Sequence, residues 1–342
     1  MPHSPPIRIA CRDFPGGGRP ERLLRLLATR FPIQEVQAHP DYVIHSVAGY
    51  SFLNEKSAVR IAFFGENVRP DFNLSDYAFA YDWMTFGDRY YRAPNYMLYT
   101  AFLQLAAGAP THSGIPFAER RFCNFLYSNA DAHPMRDEIF DRLSRLRQVD
   151  SAGGYRRNTA PLSVRAYKDD WDMAAVAWQS QYRFSISVEN SSTPGYSTEK
   201  LVHALAAGTI PVYFGDPLID RVFNPRRFIN VHELGLEAAM EQVGRLDADA
   251  EAFEEMVSQP IFRDGAVPPE LTTNHLLDAF AFIFEQPKEL AFRRNSHCWG
   301  RMYEDRCRRR FLGTGREMLR RTWQRFARSA APIAVRRDDR TT

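Results

Sequence analysis

The sequence predicts an α/β protein of two tandem domains, and three observations carry that expectation. Short apolar runs alternate with segments of 3.6-residue apolar period, twice over, the pattern of a mostly parallel sheet covered by helices. A Gly/Pro/Thr/Ser cluster, AAGAPTHSGIP (106–116), interrupts the alternation once. Finally, 342 residues with 44% hydrophobic, 13% aromatic and 25% charged side chains suit about two soluble domains at roughly 100–200 residues each. Disordered and fibrous chains are excluded. Each buried aromatic removes about 150–250 Å² from water, so two such cores need no disulfide staples.

The first series opens with IRIACRDF (7–14) as a strand, followed by a helix from Glu21 that places Leu23, Leu24, Leu27 and Phe31 on one face. YVIHSVAGY (42–50), VRIAFFGEN (59–67) and YAFAYDW (77–83) are the next strands. After the break, RFCNFLYSN (121–129) ends in polar turn residues and leads into a helix over 136–148, with Ile139, Phe140, Leu143 and Leu146 inward. FSISVEN (184–190), TIPVYFG (209–215) and RFINV (227–231) complete the second sheet. Thr198 is placed to cap the helix between the first two of these, and Gly208 to end it. The domains are expected at 1–115 and 116–290, with an Arg-rich helical tail over 291–342.

Four cysteines (Cys11, Cys123, Cys298, Cys307) show no zinc-type spacing, which favours a reducing compartment. No secretory leader pattern and no run of about 18 apolar residues is present, so a cytoplasmic chain that does not span the membrane is expected. The net charge of +3 conceals an asymmetry: residues 293–342 hold 15 arginines against five carboxylates, leaving −7 on the rest. The tail is therefore expected to attract anions.

In open α/β sheets ligands bind beyond the carboxyl ends of the strands, so polar residues just past a buried strand are the candidates. Three groups qualify: Gly65-Glu66-Asn67; Ser128-Asn129 leading to Arg136; and Glu189-Asn190-Ser191-Ser192 followed by Gly195-Tyr196-Ser197-Thr198-Glu199-Lys200. The third combines a strand, a Gly/Pro loop and a helix start, where backbone N–H groups and the helix dipole favour an anion. Arg136 and Lys200 at two helix starts suit a diphosphate, and Glu199 suits ribose or sugar hydroxyls, which together indicate a nucleotide sugar. Each also has a plain structural reading: Glu199 as a favourable first-turn carboxylate, Lys200 as a solvated helix residue, Arg136 as half of a surface ion pair. Glu66 in a GEN sequence is equally good turn chemistry.

At these same segments the chain resembles the α-1,3/α-1,4-fucosyltransferases of glycosyltransferase family 10. The matching text is FFGENVRPDFNLSDYAFAYDWMTFGDRYYRAP (63–94), RFCNFLYSNADAHPMRDEIFDRLSRLRQVDSAGG (121–154) and FSISVENSSTPGYSTEKLVHALAAGTIPVYFGDPLIDRVFNPRRFINV (184–231). The resemblance implies a GT-B fold, two Rossmann-like domains facing each other across a cleft, the first binding an acceptor and the second a GDP-sugar. It implies Glu66 as general base and Arg136, Glu189, Asn190, Tyr196, Glu199 and Lys200 as donor-binding residues, to which the strand-end position adds Ser128 and Asn129. The implied reaction is inverting transfer of L-fucose from GDP-fucose to a GlcNAc- or Glc-containing glycan. Ser197, where the family more often has an aliphatic residue, and the added Thr193-Pro194 depart from the family's loop. Two other readings stand beside it: transfer of another GDP-linked deoxysugar such as a perosamine derivative, and a non-catalytic glycan- or polyanion-binding protein.

No cofactor and no catalytic metal are expected. The tight Asp247-Ala248-Asp249 sequence reads as a solvated turn, and cationic side chains can do the work of a divalent ion. Residues 316–328, REMLRRTWQRFAR, form a basic amphipathic pattern with Leu319, Trp323 and Phe326 on one face. Such a helix either lies on an anionic membrane surface, which would place the enzyme peripherally on the inner face, or docks on the protein's own domains. Nucleic acid is not an expected partner, because few aromatics interleave with the basic residues before 311.

Overall fold

The computed structural model describes residues 5–109, 111, 114–162 and 171–313. The first series folds as β1 (Ile7–Arg12), α1 (Glu21–Ala28), β2 (Ile33–Glu35), β3 (Tyr42–His45), β4 (Val59–Phe63), β5 (Tyr77–Ala80), β6 (Tyr90–Arg92) and α2 (Thr100–Ala106). The second comprises β7 (Arg121–Phe125), α3 (Met135–Leu146), β8 (Val149–Ser151), α4 (Trp171–Gln179), β9 (Tyr182–Val188), α5 (Glu199–Ala206), β10 (Ile210–Phe214) and β11 (Ile229–Asn230). The helices α6 (Val231–Leu234), α7 (Leu236–Ala248), α8 (Ala250–Val257), α9 (Thr273–Phe284), α10 (Lys288–Ala291) and α11 (Cys298–Leu312) follow.

Two parallel sheets result, with strand orders β2-β1-β3-β4-β5-β6 and β11-β10-β9-β7-β8. Both faces of a parallel sheet are covered, so β3, β4, β5, β9 and β10 are buried along their whole length. The predicted α/β architecture of two sheets is therefore present. In the second sheet the chain moves outward from β7 to β8 and then returns to place β9 on the other side of β7. That reversal is a topological switch point, where open sheets part their loops and admit a ligand.

The predicted domain limits need one correction. Helix α9, assigned by sequence to the second domain (116–290), packs on the first: Phe280 stacks on Phe79 at 4.4 Å, and Phe284 meets Phe31 and Tyr42 edge-on. The chain after it stays there. Arg294 is buried and paired with Asp76, while Glu304 on α11 binds the fully buried Arg60 at 2.8 Å. Part of the Arg-rich tail thus serves as internal counter-charge rather than as an anion-attracting surface. Residues 316–328, predicted as the basic amphipathic helix, lie outside the described residues. Among the described residues no helix is long and apolar enough to cross a membrane.

The Asp247–Asp249 pair is not the solvated turn its sequence suggests. Asp247 binds Arg183 at 2.6 Å and Arg147 at 2.9 Å, and Asp249 caps α8 by accepting from the Ala252 N–H. Among the described residues no group of three or more His, Cys, Asp or Glu side chains is arranged to hold a metal ion.

Two histidines are buried inside this frame. His45 stacks on Phe52 at 3.7 Å with Nε2 2.8 Å from the Ser75 hydroxyl, and burial lowers its pKa to about 3. His203 on α5 is likewise lowered to about 4 by burial. In the unfolded chain both would titrate near 6.5, so the unfolded state takes up protons first as pH falls. Stability is therefore intact above about pH 6.5 and is lost toward pH 4, at about 2 kcal/mol per histidine by pH 5. Urea midpoints at pH 7 and pH 5 measure this directly; a His45→Gln variant should lose less over that interval, and equal midpoints for the parent protein would refute it.

Candidate active site

The loops after β7 and β9, on either side of the switch point, are tied together by one side chain. Arg136 lies in the first turn of α3, 2% exposed, with its guanidinium over the Tyr127 ring at 4.1 Å. Its Nη1 donates to the Asn129 carbonyl at 3.1 Å, and its Nη2 to the Val188 carbonyl at 3.1 Å and to Asn190 Oδ1 at 2.7 Å. The predicted residues Asn129, Arg136 and Asn190 are thereby brought together. The surface ion-pair reading of Arg136 is excluded, because the residue is buried and its partners are neutral oxygens, with no carboxylate paired to it among the described residues. Among the described residues its buried Nε has no hydrogen-bond partner, which leaves a donor on this cation free to meet an anion. Ser128 and Asn129 sit at the exposed rim, where Asn129 Oδ1 accepts from the Asp131 N–H and shapes the turn.

Lys200 is placed differently from expectation. Its ammonium touches Thr198 Oγ1 at 2.9 Å, Glu189 Oε2 at 3.3 Å and Glu199 Oε1 at 3.4 Å, with the side chain 16% exposed. Burial alone would lower its pKa, but the two carboxylates outweigh that and hold it well above the ordinary lysine range. Lys200 is neither a solvated helix residue nor an isolated positive charge; it is the centre of a carboxylate–ammonium–carboxylate cluster. Burial raises the pKa of Glu189, which is fully enclosed, whereas Lys200 and His203 bring Glu199 below the usual carboxylate range against the effect of its own burial.

Thr198 does occupy the N-cap position of α5, yet its hydroxyl donates to Glu189 Oε2 at 2.7 Å instead of accepting from the helix, and its N–H donates to Glu189 Oε1 at 2.7 Å. Glu189 is thus the acceptor that fixes the α5 start. Beneath this start is a cavity of about 20 Å³ whose lining includes Tyr127, Glu199, Lys200 and His203. That is room for one water molecule, not for a nucleotide.

Across the gap, Glu66 stands exposed in the loop after β4. Its charge reaches the buried Tyr196 phenol, which is raised first by burial and then by Glu189 and Glu66. Tyr196 is 2% exposed and meets Tyr81 of the first domain edge-on at 5.2 Å. Asn67, next to Glu66, donates to the Ser191 and Thr193 hydroxyls of the loop that leads to Tyr196, so Glu66 and Tyr196 flank one junction between the domains. The glycine turn that presents Tyr196 approaches the first domain closely: Gly195 has φ +86°, and a Cβ there would lie 2.6 Å from the Tyr81 carbonyl oxygen. Its N–H donates to Asp216 at 2.7 Å. Gly195→Ala combines left-handed strain with a backbone clash, so a loss of about 1–3 kcal/mol is expected in thermal unfolding. An unchanged melting curve would mean the approach is looser than it stands.

Sequence reasoning did not assign Tyr81, Tyr127 or Asp216. Asp216 follows directly on β10, so the rule of polar residues past a strand end reaches it; the two tyrosines carry no such signal, since their roles depend on which strands lie adjacent.

Comparison with known proteins gives the family and the fold. Residues 11–99 match the family described as alpha-(1,3)-fucosyltransferase FucT N-terminal domain, and residues 118–258 match glycosyltransferase family 10 (fucosyltransferase) C-term. The Helicobacter pylori alpha-(1,3)-fucosyltransferase FucT is 28% identical over 298 residues, 74% of this chain and 60% of its own length. The chain thus spans about three-fifths of that relative. Alpha-(1,3)-fucosyltransferase B of Drosophila melanogaster is 35% identical over 98 residues, 28% of this chain and 22% of its own. Among solved structures, an alpha1,3-fucosyltransferase with GDP-fucose superposes with a TM-score of 0.67 at 26% identity, covering 84% of this chain and 93% of that one. The same enzyme type with GDP gives 0.66, at 82% and 91% coverage. The two-sheet fold is accordingly GT-B, and the chain belongs to glycosyltransferase family 10, the fucosyltransferases.

Proposed function

We propose that the protein transfers L-fucose from GDP-fucose to a hydroxyl of a GlcNAc- or Glc-containing glycan, with inversion, giving an α-1,3 or α-1,4 linkage. The observation that supports the reading is the pair of hydrogen bonds by which Asn67, next to Glu66, holds the 191–193 loop that leads to Tyr196, together with the buried Arg136 guanidinium, whose partners among the described residues are neutral oxygens. Glu66 takes the proton of the acceptor hydroxyl as its oxygen attacks the anomeric carbon from the face opposite the diphosphate. Arg136 meets the charge that grows on the leaving diphosphate. Lys200, Glu199, Glu189, Asn190 and Tyr196 form the donor's bed, with Ser128 and Asn129 at its rim; Glu199 suits ribose hydroxyls, while the Lys200 charge is shared with two carboxylates before any phosphate arrives. The reaction needs no cofactor or metal in this scheme.

The deciding experiment offers GDP-fucose, GDP-perosamine, GDP-mannose and uridine-based donors to the full chain with a panel of glycan acceptors, following both nucleotide release and product. Fucosylated product from GDP-fucose, α-linked by its anomeric NMR signal, is the expected result. Preference for GDP-perosamine would move the assignment to another deoxysugar, and binding of glycan with no donor consumed would favour the non-catalytic alternative. Peripheral contact with an anionic membrane through 316–328 belongs to the same proposal; unchanged sedimentation with anionic liposomes after deletion of 315–342 would dismiss it.

A further inference from the structure

Asn67 stands next to Glu66, and the amide nitrogen of its side chain bonds across to the second domain. Its Nδ2 donates to the Ser191 hydroxyl at 2.6 Å and to the Thr193 hydroxyl at 2.7 Å, both on the second domain's loop. Its Oδ1 accepts from the Tyr81 hydroxyl at 2.6 Å, on its own domain. The loop alternates in its attachments: Ser191 and Thr193 meet Asn67, while Ser192 between them meets His232 Nε2 at 3.0 Å in the second domain. His232 is in turn stacked on Phe214 at 4.0 Å and bonded to the Gly215 carbonyl at 3.1 Å, so that end of the strap is fixed to β10. A primary amide is suited to this task, since it alone offers two donors and an acceptor in one plane.

We propose that Asn67 is a positioning residue: it latches the first domain onto the 191–193 strap and so sets Glu66 against the donor sugar. The proposal rests on the functional reading above only for its kinetic consequence. Removing the latch frees the loop bearing Glu66 from the donor loop without touching the nucleotide bed around Arg136. Turnover should fall while donor affinity holds, and water should compete better with the acceptor in the loosened junction.

The test uses Asn67→Ala, the partner-side variant Ser191→Ala/Thr193→Val, and all three substitutions together in the full chain. Loss of two to three hydrogen bonds predicts kcat for transfer down about 10–100-fold, GDP-fucose affinity within about threefold, and a raised ratio of donor hydrolysis to transfer. The triple variant should be no worse than Asn67→Ala, because both sides remove the same bonds. Hydrogen exchange of the 189–198 amides in the ligand-free protein gives a readout independent of turnover and should speed up at least about tenfold in both variants. Exchange unchanged in both, additive effects in the triple variant, or donor affinity lost in step with kcat would each overturn the latch. If the parent protein transfers nothing from any donor, the functional reading falls, and the exchange data still decide the latch; if Asn67→Ala does not fold, the strap variant decides it alone.

Discussion

Replacing Glu66 with glutamine is expected to lower transfer about 10²–10⁴-fold, the usual worth of a positioned general base, while GDP binding stays within about twofold. The size of the effect follows from chemistry and its selectivity from location. Glutamine keeps the shape and the loop but cannot accept a proton. Glu66 is exposed, so its replacement leaves no cavity and no buried orphan, and stability should move by no more than about 0.5 kcal/mol. The diphosphate contacts assigned to Arg136 lie in the other domain and are untouched. Kinetics with saturating GDP-fucose and acceptor, beside calorimetric titration with GDP, separate the two quantities. A glutamine variant retaining more than about a tenth of the parent turnover would remove Glu66 from the reaction. A variant that lost GDP affinity as well would show that the residue serves the cleft's architecture and not the proton.

Both sheets were readable because their strands are buried on both faces, which leaves runs such as VRIAF and IPVYF that few other structures would explain. The short edge strands β2, β6 and β8 were not, since three residues, whether partly exposed as in β2 and β6 or fully buried as in β8, are too few to carry a periodicity. The return of α9 to the first domain is equally silent in sequence: Phe280 and Phe284 announce an apolar face without naming the sheet it will cover. At the site, residue types at strand ends singled out Arg136, Glu189, Asn190, Glu199 and Lys200, which the fold gathers into two groups, Arg136 with Asn190 and Lys200 with Glu189 and Glu199. Their partners escaped, because charge state depends on what the fold brings alongside. Lys200 reads as a full positive charge on a helix start, and only the fold shows Glu189 arriving from the end of β9 to share it. Thr198 reads as a cap, and the same carboxylate takes its hydroxyl.

Arg136→Lys is expected to weaken GDP binding about 10–100-fold and to leave guanosine binding within about threefold, the second-largest effect in the molecule. The guanidinium is held by three oxygens at 2.7–3.1 Å that lie on two different loops, with the Tyr127 ring beneath it. An ammonium is a point donor on a flexible stem and cannot span those positions while also stacking. Each charge-assisted bond lost is worth about 1.5–3 kcal/mol, so one missing bond accounts for the expected range. What makes this residue more than a brace is the company it lacks. A cation 2% exposed, with only neutral oxygens as hydrogen-bond partners and Nε unpartnered among the described residues, is costly to bury. In the proposed role that cost is recovered when a diphosphate supplies negative charge, because the donors are already oriented and need no reorganisation. A purely structural arginine would give a different pattern: its replacement would collapse the 128–136 and 188–190 loops together and weaken guanosine and GDP alike. Parallel titrations with guanosine, GMP and GDP therefore separate the two roles, and equal losses across the three ligands would return Arg136 to the scaffold.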